Sequence, residues 1–68
     1  VENSVIGRGC IVKKGAVVRN SVILAEVTIG EDVHVENEVV DKWANLIHKK
    51  EIVSPAEQPG YIRRNDTL

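Results

Sequence analysis

Sixty-eight residues bound this chain to one small domain with a modest core, and a single cysteine, Cys10, excludes an internal disulfide staple. The net charge of −1, with Lys and Arg scattered along the sequence, argues against a dedicated nucleic-acid surface. These residues contain no apolar run long enough to span a bilayer and no basic-then-apolar signal pattern. A lone thiol suits a reducing, cytoplasmic setting. Met and Phe are absent, and Trp43 and Tyr61 are the only aromatics. With a repeat already running at residue 3, the missing initiator predicts a domain whose chain continues upstream.

The repeat organises the chain from its start. ENSVIG begins at Glu2, RNSVIL at Arg19 and ENEVVD at Glu36, an interval of 17 residues. Within it, aliphatics recur every six or five residues at Ile6, Val12, Val18, Ile23, Ile29, Val35, Val40 and Leu46. A second series runs two residues earlier: Ser4, Cys10, Ala16, Ser21, Val27, Val33, Glu38 and Ala44. Residues two apart in an extended strand share a face. Each hexapeptide therefore reads as a short strand with one small and one aliphatic side chain turned inward.

Corners such as Gly7-Arg8-Gly9, Lys13-Lys14-Gly15 and Gly30-Glu31-Asp32 separate the strands. Asn3, Asn20 and Asn37 form a further ladder of corners, because Gly and Asn tolerate positive φ. Three strands per lap predict an all-β triangular prism, a parallel β-helix of about three coils. Helical spacing of three and four is absent, and the alternating strands and hairpin turns of a sandwich are not seen.

The outward positions form three ladders. Ile11, Thr28, Asn45 and Val17, His34, Glu51 both become polar toward the C-terminus, as solvated faces do. Val5, Val22 and Val39 stay apolar. Strand propensity alone accounts for such a ladder; a buried interface with another domain or subunit is the alternative. A one-residue shift of the first strand in each lap would instead turn these valines into core.

The repeat decays after Asp41, where Trp43 replaces a small turn residue. A solenoid must end in a unit that covers its core, so residues 43–53 read as a cap within a β-helix domain of residues 1–53. Residues 54–68, with two prolines and a Gly-Tyr, read as an irregular or extended tail that Tyr61 and Ile62 tack to the prism. Its end, Arg63-Arg64-Asn65-Asp66, reads as solvated.

Few residues suggest chemistry. His34, outward on one face, is the one candidate general base, but a base also needs an orienting partner. His48 is the other histidine; with one Cys and no ligand spacing, no metal site is expected. Cys10 occupies an inward position and reads as a buried hydrophobe. The lysine clusters read as solvated turns, although Lys14 with Arg19, or Lys42 with Lys49, could meet a phosphate if folded close together.

Ile6-Gly7-Arg8-Gly9-Cys10-Ile11 and Ile29-Gly30-Glu31-Asp32-Val33-His34 resemble the hexapeptide-repeat proteins, a resemblance that implies a left-handed coil. The run Ser21-Val22-Ile23, Val27, Ile29-Gly30, Val33, Val35, Val39-Val40, Asp41-Lys42 is similar to the C-terminal β-helix of bacterial glucose-1-phosphate adenylyltransferases (ADP-glucose pyrophosphorylases) or their non-catalytic paralogue in glycogen biosynthesis. It covers about residues 2–46.

That resemblance implies a parent that makes ADP-glucose from ATP and glucose 1-phosphate. Catalysis and Mg2+ would belong to an N-terminal nucleotidyltransferase domain, leaving this segment inactive alone. The β-helix would pack on that domain, build homo- or hetero-oligomers and contribute to binding a phosphorylated effector, with Lys42 matching an effector-site lysine. Trp43, and the loss of the next glycine corner, depart from the pattern. A fragment of a hexapeptide acyltransferase and a purely structural trimerisation prism are the alternatives.

Overall fold

The computed structural model describes residues Val1–Leu68, all in strands, turns and extended segments. Ten short strands run in chain order: β1 (Val5–Ile6), β2 (Ile11–Val12), β3 (Val17–Arg19), β4 (Val22–Ile23), β5 (Thr28–Ile29), β6 (His34–Glu36), β7 (Glu38–Val40), β8 (Asn45–Leu46), β9 (Glu51–Val53) and β10 (Gly60–Ile62). They stack as three parallel sheets, β1-β4-β7-β10, β2-β5-β8 and β3-β6-β9, the three faces of a left-handed β-helix.

The register follows the repeat. Ile6 pairs with Ile23 and Ile23 with Val40, so the three stack along the axis. Ile23, Val27, Ile29, Val33, Val35, Val40, Ala44 and Leu46 are fully buried. Both inward series thus form one core along the prism axis. Lap one closes it less completely: Ile6, Cys10 and Ala16 are only partly buried and Val12 is exposed. Val5 and Val22 are exposed and Val39 half-buried, so the first-face valines point outward and the one-residue shift is excluded.

The serines at the small inward step have a structural task. Ser21 N–H donates to Ser4 Oγ, and Glu38 N–H to Ser21 Oγ, each at 3.1 Å. Each hydroxyl also donates to a carbonyl of its own lap, Ser4 to Glu2 and Ser21 to Arg19. Amides entering the first face are thereby satisfied inside the prism.

The corners divide by backbone conformation. Asn3, Asn20 and Asn37 lie at φ 47, 49 and 58, in the left-handed region expected for that ladder. A second ladder, Gly9, Glu26 and Trp43, lies at φ 76, 62 and 66, with amides of one lap bonded to carbonyls of the lap before. Gly7 answers a different need, since a Cβ there would stand 2.9 Å from the Leu24–Ala25 backbone.

The segment expected to be an irregular tail begins a fourth lap instead. β10 pairs with β7, Tyr61 opposite Val39 and Ile62 opposite Val40, and Thr67 bridges to Asn45. Ile62 is buried, and Leu68 packs on the core above Leu46 while its carbonyl accepts from Ile47 and His48 N–H. The irregular stretch is confined to the corner between β9 and β10, around Pro55 and Pro59. There Ser54 donates to the carboxylate of Glu38, which is buried at an inward step of lap three.

Candidate functional site

Two places gather polar chemistry. The first is the corner between the first and second faces, where laps three and four stack. Asp41, Lys42 and Trp43 follow β7; Arg63, Arg64 and Asn65 follow β10 one lap above. Asn65 N–H donates to the Lys42 carbonyl at 3.0 Å, which sets Lys42 and Arg64 at adjacent steps. Lys42, Trp43, Arg64 and Asn65 line a shallow cleft of about 430 Å³. Trp43 also lines a neighbouring cleft of about 470 Å³ with Glu26, one lap below.

The same corner is tied to the first face. Tyr61 Oη donates to Asp41 Oδ2, and Lys42 N–H donates to Asp41 Oδ1 at 2.7 Å. The Tyr61 hydrogen bond, then that of the Lys42 amide, hold the Asp41 carboxyl below its ordinary 3.8. The Asp41 carboxylate raises the Tyr61 hydroxyl above its ordinary 10.0. Asp41 is thus engaged with Tyr61 and the backbone. Lys42 and Arg64 have no carboxylate within salt-bridge distance, the only Lys or Arg ion pair being Arg19 with Glu2.

The second place is the third face. His34 Nε2 lies 3.0 Å from Glu36 Oε1, and Nδ1 lies 3.6 Å from Glu51 Oε2. Glu36 follows two residues after His34 on the same side of β6, and Glu51 pairs with His34 across laps. The orienting partner that a base requires is therefore present. The two carboxylates meet opposite nitrogens of one ring, so the three groups do not converge on one point, and no group of three His, Cys, Asp or Glu is placed to hold a metal ion. These residues offer no ligand set for the Mg2+ expected in the parent enzyme.

The other candidates separate. Lys42 and Lys49 stand at opposite edges of the second face, in the corners before and after β8. Lys14 stands in the corner before β3, whereas Arg19 at its far end pairs with Glu2 at 3.0 Å. Cys10 is partly buried, and its thiol donates to the Leu24 carbonyl at 3.0 Å. Arg64 and Asn65, read from sequence as solvated, are exposed but share the cleft with Lys42. The signal for them was available: Tyr61-Ile62 repeats the Val39-Val40 step, with five extra residues between laps.

Over residues 1–59 the chain matches the family described as GlmU-like, C-terminal hexapeptide. The chain belongs to this family. No curated protein and no solved structure matches it. The family match spans the three complete laps and ends just before β10. Lys42 and Trp43 thus lie within the matched span, and Arg64 and Asn65 beyond it. Membership supports a hexapeptide-repeat β-helix of the kind associated with acyltransferases and nucleotidyltransferases.

Proposed function

We propose that this β-helix is the assembly and regulatory domain of an enzyme that makes ADP-glucose from ATP and glucose 1-phosphate for glycogen synthesis. Its partners would be an N-terminal nucleotidyltransferase domain, further subunits and a phosphorylated effector, in the cytoplasm. The observation that carries the reading is Lys42 and Arg64 at one corner step in successive laps, without carboxylate partners and sharing one cleft. Two adjacent cations on rigid backbone suit a phosphate group, with Arg supplying a planar fork and Lys a point charge.

The corner adjoins the proposed docking face. Lys42 N–H bonds Asp41, Asp41 bonds Tyr61, and Tyr61 stands opposite Val39 at the end of the Val5, Val22, Val39 ladder. A phosphate drawing laps three and four together at Lys42 and Arg64 would bear directly on that face. Lys42→Ala in the full-length parent should shift the response to effector more than catalytic turnover. Equal loss of both would remove Lys42 from an effector role.

One observation favours a second reading, acyl transfer with His34 as base. Glu36 lies within hydrogen-bond distance of His34 Nε2, an arrangement that orients an imidazole. His34→Ala abolishing acyl transfer by the full-length protein would establish it, and unchanged transfer would end it.

A further inference from the structure

We infer that the fourth lap is a strap that opens from the prism and closes on it, with the buried carboxylate of Glu38 as the group that keeps the two states in balance. Closing supplies Arg64 to the Lys42 corner and Tyr61 to the first face, so one element couples the two places. The inference rests on the effector reading of Lys42 only for what holds the strap closed.

The first ground is how lap four is attached. The family match ends at residue 59, so Gly60 to Leu68 lie beyond the shared repeat. They are reached through a corner with five extra residues, which holds Pro55 and Pro59. The bond inside that corner, Gln58 N–H to the Pro55 carbonyl, does not involve lap four and survives its opening. Gly60, Asn65 and Leu68 N–H donate to the Asn37, Lys42 and Asn45 carbonyls of lap three. Stacked units hold only to their neighbours, and such a unit can open by itself.

The second ground is what lap four covers. The inward step that holds Ser4 and Ser21 in laps one and two holds Glu38 in lap three, and Glu38 is 5% exposed. The Ser54 hydroxyl donates to Glu38 Oε2, and no Lys, Arg or His pairs with the carboxylate. A carboxylate taken out of water needs a cation or several hydrogen bonds, and one hydroxyl falls short of that. Lap four is what shuts it in. Gly60 lies directly on the carboxylate, since a Cβ there would collide with Glu38 Oε1. Opening returns Glu38 to water, which offsets part of the cost of exposing Ile62 and Leu68. Serine at this step would seal the prism without that opposition, as it does twice below.

The open strap carries Tyr61 away from Val39 and Asp41, and Arg64 away from Lys42. The docking face and the cationic cleft are therefore completed together or dismantled together. A ligand that bridges Lys42 and Arg64 binds the closed state alone and shifts the balance toward it.

Residue-resolved hydrogen exchange on the chain tests the strap. Gly60, Asn65 and Leu68 amides should exchange together, about tenfold or more faster than Leu24, Thr28 and Gly30, whose amides join laps two and three. Glu38→Gln, which removes the charge at nearly constant volume, should slow the lap-four amides by about tenfold. Ser54→Ala, which leaves the carboxylate without its hydroxyl, should speed them by a similar factor. Leu24, Thr28 and Gly30 serve as the internal reference, and their rates should not change in either variant. Inorganic pyrophosphate should slow the lap-four amides of the native chain and not those of Lys42→Ala.

Lap-four amides as slow as those of Leu24, Thr28 and Gly30 would overturn the strap, and pyrophosphate binding that depends on Lys42 would then leave the effector reading standing. Faster exchange in Glu38→Gln would overturn the role given to the carboxylate. The expected response of both variants, with no effect of pyrophosphate, would keep the strap and remove the effector reading.

Discussion

Trp43 and Asn65 hold the same corner of the prism in successive laps, at φ 66 and φ 65, although the chain takes 22 residues rather than 17 to pass from one to the other. The extra residues bulge out between β9 and β10, and the stack resumes in register above them, Ile62 over Val40 and Leu68 above Leu46. Parallel pairing constrains where the strands meet, not the length of the corner between them, so a corner can absorb an insertion that a strand cannot.

The corner conformation predicts an unusual order of stability at residue 43. A non-glycine residue in the left-handed region costs about 1 to 2 kcal/mol. Trp43→Gly should therefore be more stable than Trp43→Ala by about 1 kcal/mol, opposite to the usual preference for Ala. Urea denaturation of the two variants measures the difference. If Ala is the more stable, the strain at Trp43 has been misplaced.

The fourth lap closes the core, which makes it part of the folding unit. A chain ending at Val53 lacks Ile62 and Leu68, leaving Val40, Ala44 and Leu46 uncovered. Losing the burial of two large aliphatic side chains costs about 3 kcal/mol or more, a large share of a small domain's stability. The shortened chain should show a markedly lower urea midpoint than residues 1–68. Equal midpoints would mean that lap three caps itself.

Neighbouring residues of β4 should respond in opposite ways. Val22 points outward from the first face, whereas Ile23 is fully buried between Ile6 and Val40. Ile23→Ala should cost about 2 to 5 kcal/mol. Val22→Asp should leave the circular dichroism of the isolated domain almost unchanged and weaken its association with a partner domain or subunit. Unaltered assembly would leave strand propensity as the sole reason for the valine ladder.

The Asp41–Tyr61 pair predicts a pH dependence with two flanks. Asp41 is held below its ordinary 3.8, so its contribution is present above that value and lost as pH falls through the depressed folded value. Tyr61 is raised above its ordinary 10.0, so its contribution is present below that value and lost as pH rises through the elevated folded value. The stability difference between the native chain and Tyr61→Phe should be flat from about pH 5 to 9 and shrink on both sides. A difference that changes across the neutral range would point to another group.

Sequence and structure divided the work unevenly. The three-sided coil and the stacking of Ile6, Ile23 and Val40 were legible, because strand side chains alternate strictly and a 17-residue lap repeats that alternation in place. The Asn corners were legible because few residues accept positive φ. His34 was legible as an outward imidazole, but its pairing with Glu36 and Glu51 depended on the neighbouring position in β6 and on the lap above.

The sequence by itself determined the prism and its axis of aliphatic side chains, whereas the outward direction of Val5, Val22 and Val39 stayed open to a one-residue shift until the structure fixed it. The tertiary structure alone decided the fourth lap, the meeting of Lys42 with Arg64 across an insertion, and the exposed, strained placement of Trp43 between them and Glu26. The physical reason is that a core repeat is written locally, in the spacing of apolar side chains. A corner site is assembled from different laps, whose residues become neighbours only after every intervening turn has been counted correctly.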